Sequence, residues 1–160
     1  MKNGKVIIFL LTIMILLAGC DSSDNPFSQA RYAEKQCKTI VECFDTKDLE
    51  TIKNMFSSWI QETHNLDKEI QDIFDLYEGK SVHWDYVDYG SEGAIDDGTW
   101  TDKQISPTID IETDTGKKYH IVFCEYLVYE KDETRLGIRY ISIYDTGNNN
   151  DIVYLKSIGE

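Results

Sequence analysis

The stretch YHIVFCEYLVY, residues 119–129, decides the fold prediction for this chain. Its β-branched and aromatic residues favour a strand, and apolar side chains occupy both faces of that strand except at His120 and Glu125. A continuous apolar run of this kind is typical of a strand that is covered on both sides. We therefore expect residues 119–129 to form a central strand of a β-sheet.

Other strands are predicted on both sides of this segment. The sequence ISPTIDIE, residues 105–112, alternates apolar and polar side chains, as does a strand with one buried face. Pro107 lacks a backbone N–H, so we expect an edge strand or the start of a strand there. An earlier strand is predicted at residues 80–89. The sequence GSEGAIDDG, residues 90–98, indicates a turn or mobile loop after it. Two more strands are expected at residues 136–144 and 152–158. The short connections indicate an antiparallel meander.

Residues 28–77 show helical periodicity instead. Apolar side chains recur three and four residues apart in three stripes, which begin at Ala30, Leu49 and Leu66. The second stripe can run on to Ile60, DTKD at 45–48 supplies a cap before it, and Asn65 can cap the third. Helices first and strands afterwards predict an α+β domain, with N-terminal helices packed on a curved antiparallel β-sheet.

The start of the chain has the features of an export signal. Two lysines precede residues 6–18, in which only Thr12 is polar, and this run is shorter than the ~20 residues that a spanning helix needs. It ends in LAGC, residues 17–20, which resembles the lipobox of bacterial lipoproteins. The resemblance implies that residues 1–19 are a removed signal peptide and that Cys20 carries a lipid such as palmitate. The alternative is an ordinary buried cysteine at this position.

This interpretation divides the chain into three parts. Residues 1–19 are the lipoprotein signal peptide, residues 20–27 are the lipidated N-terminus with a short tether, and residues 28–160 are a single α+β domain. Burying acyl chains contributes about 0.8 kcal/mol per CH₂, and two chains give a lasting anchor. We therefore expect a lipid-anchored protein on the extracytoplasmic face of the cell membrane.

The order of the elements resembles the cystatin-like, or nuclear-transport-factor-like, cone. Within it, DLETIKNMFS (48–57) and LDKEIQDIFDLYEGK (66–80), behind a lipobox, look like a family of uncharacterised Gram-positive lipoproteins with that fold. The resemblance implies a fold and a location. Its motifs serve packing and capping, so it implies no catalytic residue.

Charge restricts the kinds of partner. Removing Lys2 and Lys5 leaves 14 basic residues against 29 acidic ones, a net charge of 14 minus 29, or −15. Such a charge opposes binding to nucleic acid and to anionic lipid surfaces. It favours a basic or neutral protein partner, or it serves only to keep an exported domain soluble.

The cysteines and histidines predict no metal site and no cofactor. Cys37, Cys43 and Cys124 remain after lipidation, either as small apolar residues of the core or with one Cys37–Cys124 bridge. His64, His83 and His120 are scattered along the chain, and no paired spacing typical of zinc ligands is present.

Glu125 is the first candidate for chemistry, because it interrupts an apolar strand close to Tyr126 and Tyr129. A carboxylate in an apolar pocket, with a tyrosine to stabilise an oxyanion, can act as a general base. His120 and Asp85 are further polar interruptions. The alternative is that Glu125 faces solvent on the outside of the sheet or pairs with Arg139.

Aromatic side chains are the second group of candidates. We predict ligand-binding roles for Glu125 and for four aromatic residues: Trp84, Tyr86, Trp100 and Tyr126. Aromatic side chains on strands line pockets, but they also form cores and cross-strand pairs.

Three functions fit the sequence. The first is a non-enzymatic domain that binds a small apolar ligand or another protein. The second is an acidic protector, or immunity-type protein, that captures a cationic peptide at the membrane surface. The third is an enzyme of isomerase or hydrolase type that uses a pocket carboxylate.

Overall fold

The computed structural model describes residues 26–147 and 152–159 of the chain. The expected signal peptide and the lipidation residue Cys20 lie outside these residues. The chain divides into two compact units, residues 1–31 and residues 32–160. Only the beginning of a helix is described in the first unit, and the sheet belongs to the second. No helix in the described part of the chain is long and apolar enough to cross a membrane.

Four helices precede the sheet in the described part of the chain. They are α1 (Pro26–Thr46), α2 (Leu49–Met55), α3 (Ser58–Thr63) and α4 (Leu66–Leu76). The two predicted N-caps are confirmed. The Asp48 carboxylate accepts a hydrogen bond from the Thr51 N–H at 3.0 Å, and the Asn65 side chain accepts one from the Lys68 N–H at 3.4 Å. Each cap satisfies an amide that has no partner within its helix.

The second predicted helix is interrupted. The sequence predicts that it can run on to Ile60, whereas the structure breaks it between α2 and α3. Phe56 is extended at the break and forms a parallel bridge with Ile138, and the Ser57 N–H donates to the Ile138 carbonyl at 3.0 Å. A contact with the sheet therefore takes the place of a helical turn.

The sheet contains five described strands in a curved, open antiparallel arrangement. The strands are β1 (Ser81–Asp96), β2 (Thr99–Thr113), β3 (Lys118–Tyr129), β4 (Gly137–Asp145) and β5 (Val153–Ile158). They lie side by side in chain order, so the predicted meander is confirmed, and β3 is the central strand.

The first hairpin is longer than the sequence prediction. Residues 90–96 continue β1 and pair with β2 as far as Asp96 opposite Thr99, so the expected loop is wrong. The chain reverses at Asp97 and Gly98, where φ is 47° and 79°. Two central residues with positive φ are typical of a type I′ turn, whose twist matches that of the strands. The hairpin therefore stays paired to its tip.

β2 lies inside the sheet, between β1 and β3, and Pro107 lies in its middle, so the expected edge strand or strand start is wrong. Pro107 is opposite Tyr89 of β1, and the pairing with β3 passes from Ile105 directly to Thr108. The proline therefore falls in a short interval without a paired β3 residue, where its missing N–H breaks no hydrogen bond of the ladder.

Side chains alternate between two faces of the sheet. We call the face that packs against the helices the core face and the opposite one the outer face. The buried cluster includes these sheet residues: Ile109, Ile111, Tyr119, Ile121, Phe123, Ile141 and Ile143. It also includes these helix residues: Cys37, Ile40, Phe44, Ile52, Ile70 and Phe74. This shared core confirms the predicted packing of helices on one side of the sheet.

The three cysteines of the domain are buried free thiols, so the alternative Cys37–Cys124 bridge is not formed. Burial raises the pKa of Cys37 to about 12 and that of Cys43 to about 11. Thiols of this kind are unreactive because the thiolate is the nucleophile. They act as small apolar residues of the core.

A substitution at Gly137, the first residue of β4, tests the contact between the helices and the sheet. Its φ is 113°, and an added Cβ would lie 3.0 Å from the Ser57 nitrogen and 3.1 Å from the Met55 oxygen. We expect Gly137→Ala to lower the free energy of unfolding by about 3 kcal/mol, because strain and crowding add. Urea denaturation measures the loss.

Gly116 is the matched control. Its φ of 78° is also positive, but no described atom lies within 4 Å of an added Cβ. Gly116→Ala should cost only about 1 kcal/mol, the conformational strain alone. Equal losses in the two variants would contradict a close approach of β4 to the end of α2.

Candidate functional site

A row of polar and aromatic side chains crosses the outer face of the sheet. Asp85 of β1 is opposite Asp110 of β2, which is opposite His120 of β3. The row continues with Tyr144 of β4 and Tyr154 of β5. Neighbouring strands are about 4.8 Å apart, so the five residues extend over about 19 Å. Every described strand contributes one residue to this row.

Two histidine–aspartate pairs lie at one end of the row. His83 Nε2 is 2.9 Å from Asp85 Oδ2, and His120 Nδ1 is 2.7 Å from Asp110 Oδ1. The second pair is more sheltered, because the His120 side chain is 26% exposed and that of His83 is 67% exposed. A carboxylate on one ring nitrogen orients the imidazole. The pairs therefore hold both rings in place over the sheet.

A groove of about 550 Å³ lies over these pairs, and we call it the outer-face groove. Its lining includes the charged residues and histidines His83, Asp85, Asp110, Glu112, Lys118 and His120, and Ile111, Tyr119, Thr146 and Ile152 complete it. Glu112 and Lys118 are paired across β2 and β3, with 3.8 Å between Oε2 and Nζ. The groove is thus a concavity with charged groups in its wall, on the side of the sheet away from the helices.

The groove carries an excess of negative charge. Its lining contains three carboxylates and one ammonium group, that of Lys118. The formal charge of the groove is therefore −2 when both imidazoles are neutral. Asp85 and Asp110 are directly opposed on adjacent strands, and like charges in that position repel one another. A cationic group placed between them would relieve this repulsion. Among the described residues, no group of three or more His, Cys, Asp or Glu side chains is arranged to hold a metal ion.

Glu125 lies on the other side of the sheet. It is only 5% exposed on the core face, so the alternative of a solvent-facing Glu125 is wrong, and its hydrogen-bond partners are Tyr32 and Gln36 in place of the alternative Arg139. Its Oε1 accepts a hydrogen bond from the Tyr32 hydroxyl at 2.5 Å, and Gln36 Nε2 is 3.2 Å from each carboxylate oxygen. Tyr32 and Gln36 belong to α1. The carboxylate therefore joins this helix to the central strand.

Burial raises the pKa of both acidic groups of this cluster. Desolvation raises the pKa of the Glu125 carboxyl above its usual range, while the hydrogen bonds from Tyr32 and Gln36 act in the opposite direction. Burial and the neighbouring carboxylate raise the pKa of the Tyr32 phenol as well. The tyrosine that contacts Glu125 is therefore Tyr32. Tyr126 and Tyr129, which the sequence suggested as its neighbours, pack on each other with ring centroids 5.0 Å apart.

The aromatic candidates lie in three places. Trp84 and Tyr86 are half-buried and pack against the core from β1. Trp100 lies near the tip of the first hairpin, where Lys103 Nζ is 4.6 Å from the centroid of its ring. Tyr126 is in β3. The structure brings Trp84 and Tyr86 together and places Trp100 and Tyr126 elsewhere.

Sequence reasoning noted Asp85 and His120 only as polar interruptions and missed Asp110 and the grouping of these residues with His83, although a signal for it existed. Asp110 and His120 are each five residues from Thr115, in the turn between β2 and β3, and hairpin symmetry therefore places them opposite one another. His83 and Asp85 are two residues apart and share a face of β1. That Asp85 lies opposite Asp110 depends on the register of the first hairpin. The sequence could not predict this register because the turn was placed at the wrong residues.

Glu125→Gln should raise the free energy of unfolding at pH 7. A carboxyl with a raised pKa in the folded state contributes its full stability below the ordinary glutamate pKa of about 4.3, and loses it as the pH rises through the folded value. Glutamine is neutral, and its carbonyl oxygen can still accept from Tyr32. Urea denaturation at pH 5 and at pH 7 measures the gain, which should be larger at pH 7.

Two further variants complete this measurement. Glu112→Gln on the outer face is the control and should leave the pH dependence unchanged, because Glu112 is exposed. Tyr32→Phe should cost about 1.5 kcal/mol at pH 7, since it removes a donor to a buried carboxylate. A smaller free energy of unfolding for Glu125→Gln than for the unmodified protein at pH 7 would contradict the burial cost.

Comparison with known proteins identifies the family. A family described as "Domain of unknown function (DUF5104)" matches residues 39–146, which include α2 to α4 and the first four strands. Comparison with curated proteins gives no significant match. The matched segment covers Glu125 and the polar lining of the outer-face groove from β1 to β3. The chain belongs to the DUF5104 family.

Proposed function

We propose that this protein is a lipid-anchored, extracytoplasmic binding domain, and that its outer-face groove holds a cationic group of a peptide or protein partner. The opposed carboxylates of Asp85 and Asp110 are the observation on which this proposal rests. They lie in a concavity of about 550 Å³ whose polar lining contains a single amine, that of Lys118. A guanidinium or ammonium group gains charge-assisted hydrogen bonds there.

Of the three functions considered, capture of a cationic peptide fits this groove best. Its lining contains three carboxylates, so a small apolar ligand would leave their charge without compensation. Glu125, the carboxylate that an enzyme of the expected type would use, lies on the core face with Tyr32 and Gln36 as donors. The net charge of −15 after removal of residues 1–19 adds long-range attraction for a basic partner.

The fold and the location form part of the same proposal. Helices that precede a curved, open antiparallel meander agree with a cystatin-like, or nuclear-transport-factor-like, cone. The LAGC sequence at residues 17–20 supports lipidation of Cys20. The anchor would keep the groove close to the membrane surface, where cationic peptides that attack membranes collect.

The groove is tested with fluorescein-labelled hexalysine and fluorescence anisotropy. Substituting both aspartates, Asp85→Asn with Asp110→Asn, should weaken binding about tenfold, because each exposed charge contributes up to about 1 kcal/mol. The affinity of the unmodified protein should fall steeply between 20 and 300 mM salt.

A charge-matched control separates the groove from the net charge. Glu50→Gln with Glu62→Gln removes the same two negative charges from exposed positions on α2 and α3. This double variant should lose less than about twofold in affinity. An equal loss in both double variants would show that hexalysine responds to overall charge and would refute the groove as its site.

The anchor is tested separately by Cys20→Ser in a Gram-positive host. We expect the unmodified protein to incorporate labelled palmitate and to sediment with membranes. The serine variant should incorporate none and should leave the membrane fraction, because the acyl chains provide the binding energy. Cys43→Ala is the control for loss of a cysteine and should stay membrane-bound. Retention of Cys20→Ser on membranes without palmitate would contradict the proposed anchor.

A further inference from the structure

We infer that the partner of the outer-face groove is an extended peptide with two recognition elements: a lysine or arginine, and a large apolar residue three or four positions away. This inference rests on the proposed function, because it assigns the cationic element to Asp85 and Asp110. It adds a second contact, made by Tyr144 and Tyr154, for the apolar residue.

Three rings continue the row beyond the carboxylates. The centroids of His120 and Tyr144 are 6.0 Å apart, and those of Tyr144 and Tyr154 are 5.6 Å apart, both in edge-to-face arrangements. His120 and Tyr144 are half-buried, whereas Tyr154 at the edge of the sheet is exposed. His120 also lines the groove, so the aromatic series is continuous with the carboxylate end.

The second contact offers apolar surface. Tyr154 of β5 is 55% exposed, and Ile152, which lines the groove just before this strand, is 65% exposed. Exposed aromatic rings bind apolar and aromatic side chains at low cost in conformational entropy. Charged and apolar surfaces therefore meet along one line on the outer face.

Strand spacing sets the length of the peptide. Asp110 and Tyr144 are two strands apart, about 10 Å, and Asp110 and Tyr154 are three apart, about 14 Å. An extended peptide advances about 3.3 Å per residue, so three residues cover about 10 Å and four about 13 Å. A cationic side chain near Asp110 therefore places an apolar residue three or four positions away over the tyrosines.

Charge argues for a basic peptide and against a second copy of this chain. Two outer faces placed against each other would bring the carboxylates of both grooves together, with a formal charge of −2 from each. Repulsion between them opposes that association. A segment with a basic residue and no acidic ones has the complementary charge.

Three peptides of equal length, each labelled with fluorescein and measured by anisotropy, test the inference. The first is Lys-Lys-Gly-Gly-Phe, the second replaces Phe with Ala, and the third replaces both lysines with Gly. We expect the first to bind about fivefold more tightly than the second, as one aromatic contact allows. The third should bind at least tenfold more weakly than the first.

Variants of the edge strand assign the preference to the aromatic row. Tyr154→Ser should reduce the preference for Phe over Ala to less than twofold and leave the affinity for Lys-Lys-Gly-Gly-Ala unchanged. Tyr154→Phe keeps the ring and should keep the preference. Tyr154 is exposed at the edge of the sheet, so both variants are expected to fold, and near-ultraviolet circular dichroism checks this.

The outcomes separate this inference from the function it rests on. Equal affinities for the Phe and Ala peptides, or a preference that survives Tyr154→Ser, would overturn the aromatic contact and leave cation binding in place. Failure of both lysine peptides to bind, together with failure of hexalysine, would overturn the proposed function and the inference with it. A Phe preference lost only in Tyr154→Ser supports both.

Discussion

The pairing register of β3 is the constraint on which the rest of this structure depends. In this strand Tyr119, Ile121 and Phe123 point towards the helices, and His120 points the other way. A shift of one residue would bury His120 and expose the apolar side chains to water. Each buried Ile or Phe contributes about 1.5–3 kcal/mol, so the core excludes the shifted register. The same register places His120 between Asp110 and Tyr144, and in this way core packing determines the geometry of the outer-face groove.

Irregular pairing changes which residues face the helices. Between Tyr86 and Asp88 the register of β1 shifts by one residue, and the extra residue, Val87, is 53% exposed. A bulge of this kind bends the strand and reverses the alternation beyond it. Trp84 and Tyr86, two residues apart, share the core face, and the bulge sets the register that places Asp85 of the outer face opposite Asp110. The curvature of the sheet and the position of the first carboxylate pair therefore have a common cause.

Features that depend on neighbouring residues could be predicted from the sequence, and those that depend on distant ones could not. The caps at Asp48 and Asn65 and the central position of β3 follow from side chains close together in the chain. The break between α2 and α3 depends on Ile138, which is about eighty residues away in sequence. The partner of Glu125, Tyr32, is 93 residues distant. Alternation alone could not assign Glu125 to a face, because the strand is apolar on both sides.

The buried Glu125 and the exposed pair Asp85 and Asp110 differ in what they can contact. Glu125 is enclosed by its donors, so its carboxyl group joins α1 to the sheet and is closed to a partner. Asp85 and Asp110 are exposed, aligned by imidazoles and opposed to each other, so their charge is directed into the groove. The remaining acidic residues give the domain a field that raises the encounter rate with basic partners but selects none. For the proposed basic partner, selectivity would come from the places where charge and apolar surface are close together, and on the outer face that place is the row from Asp85 to Tyr154.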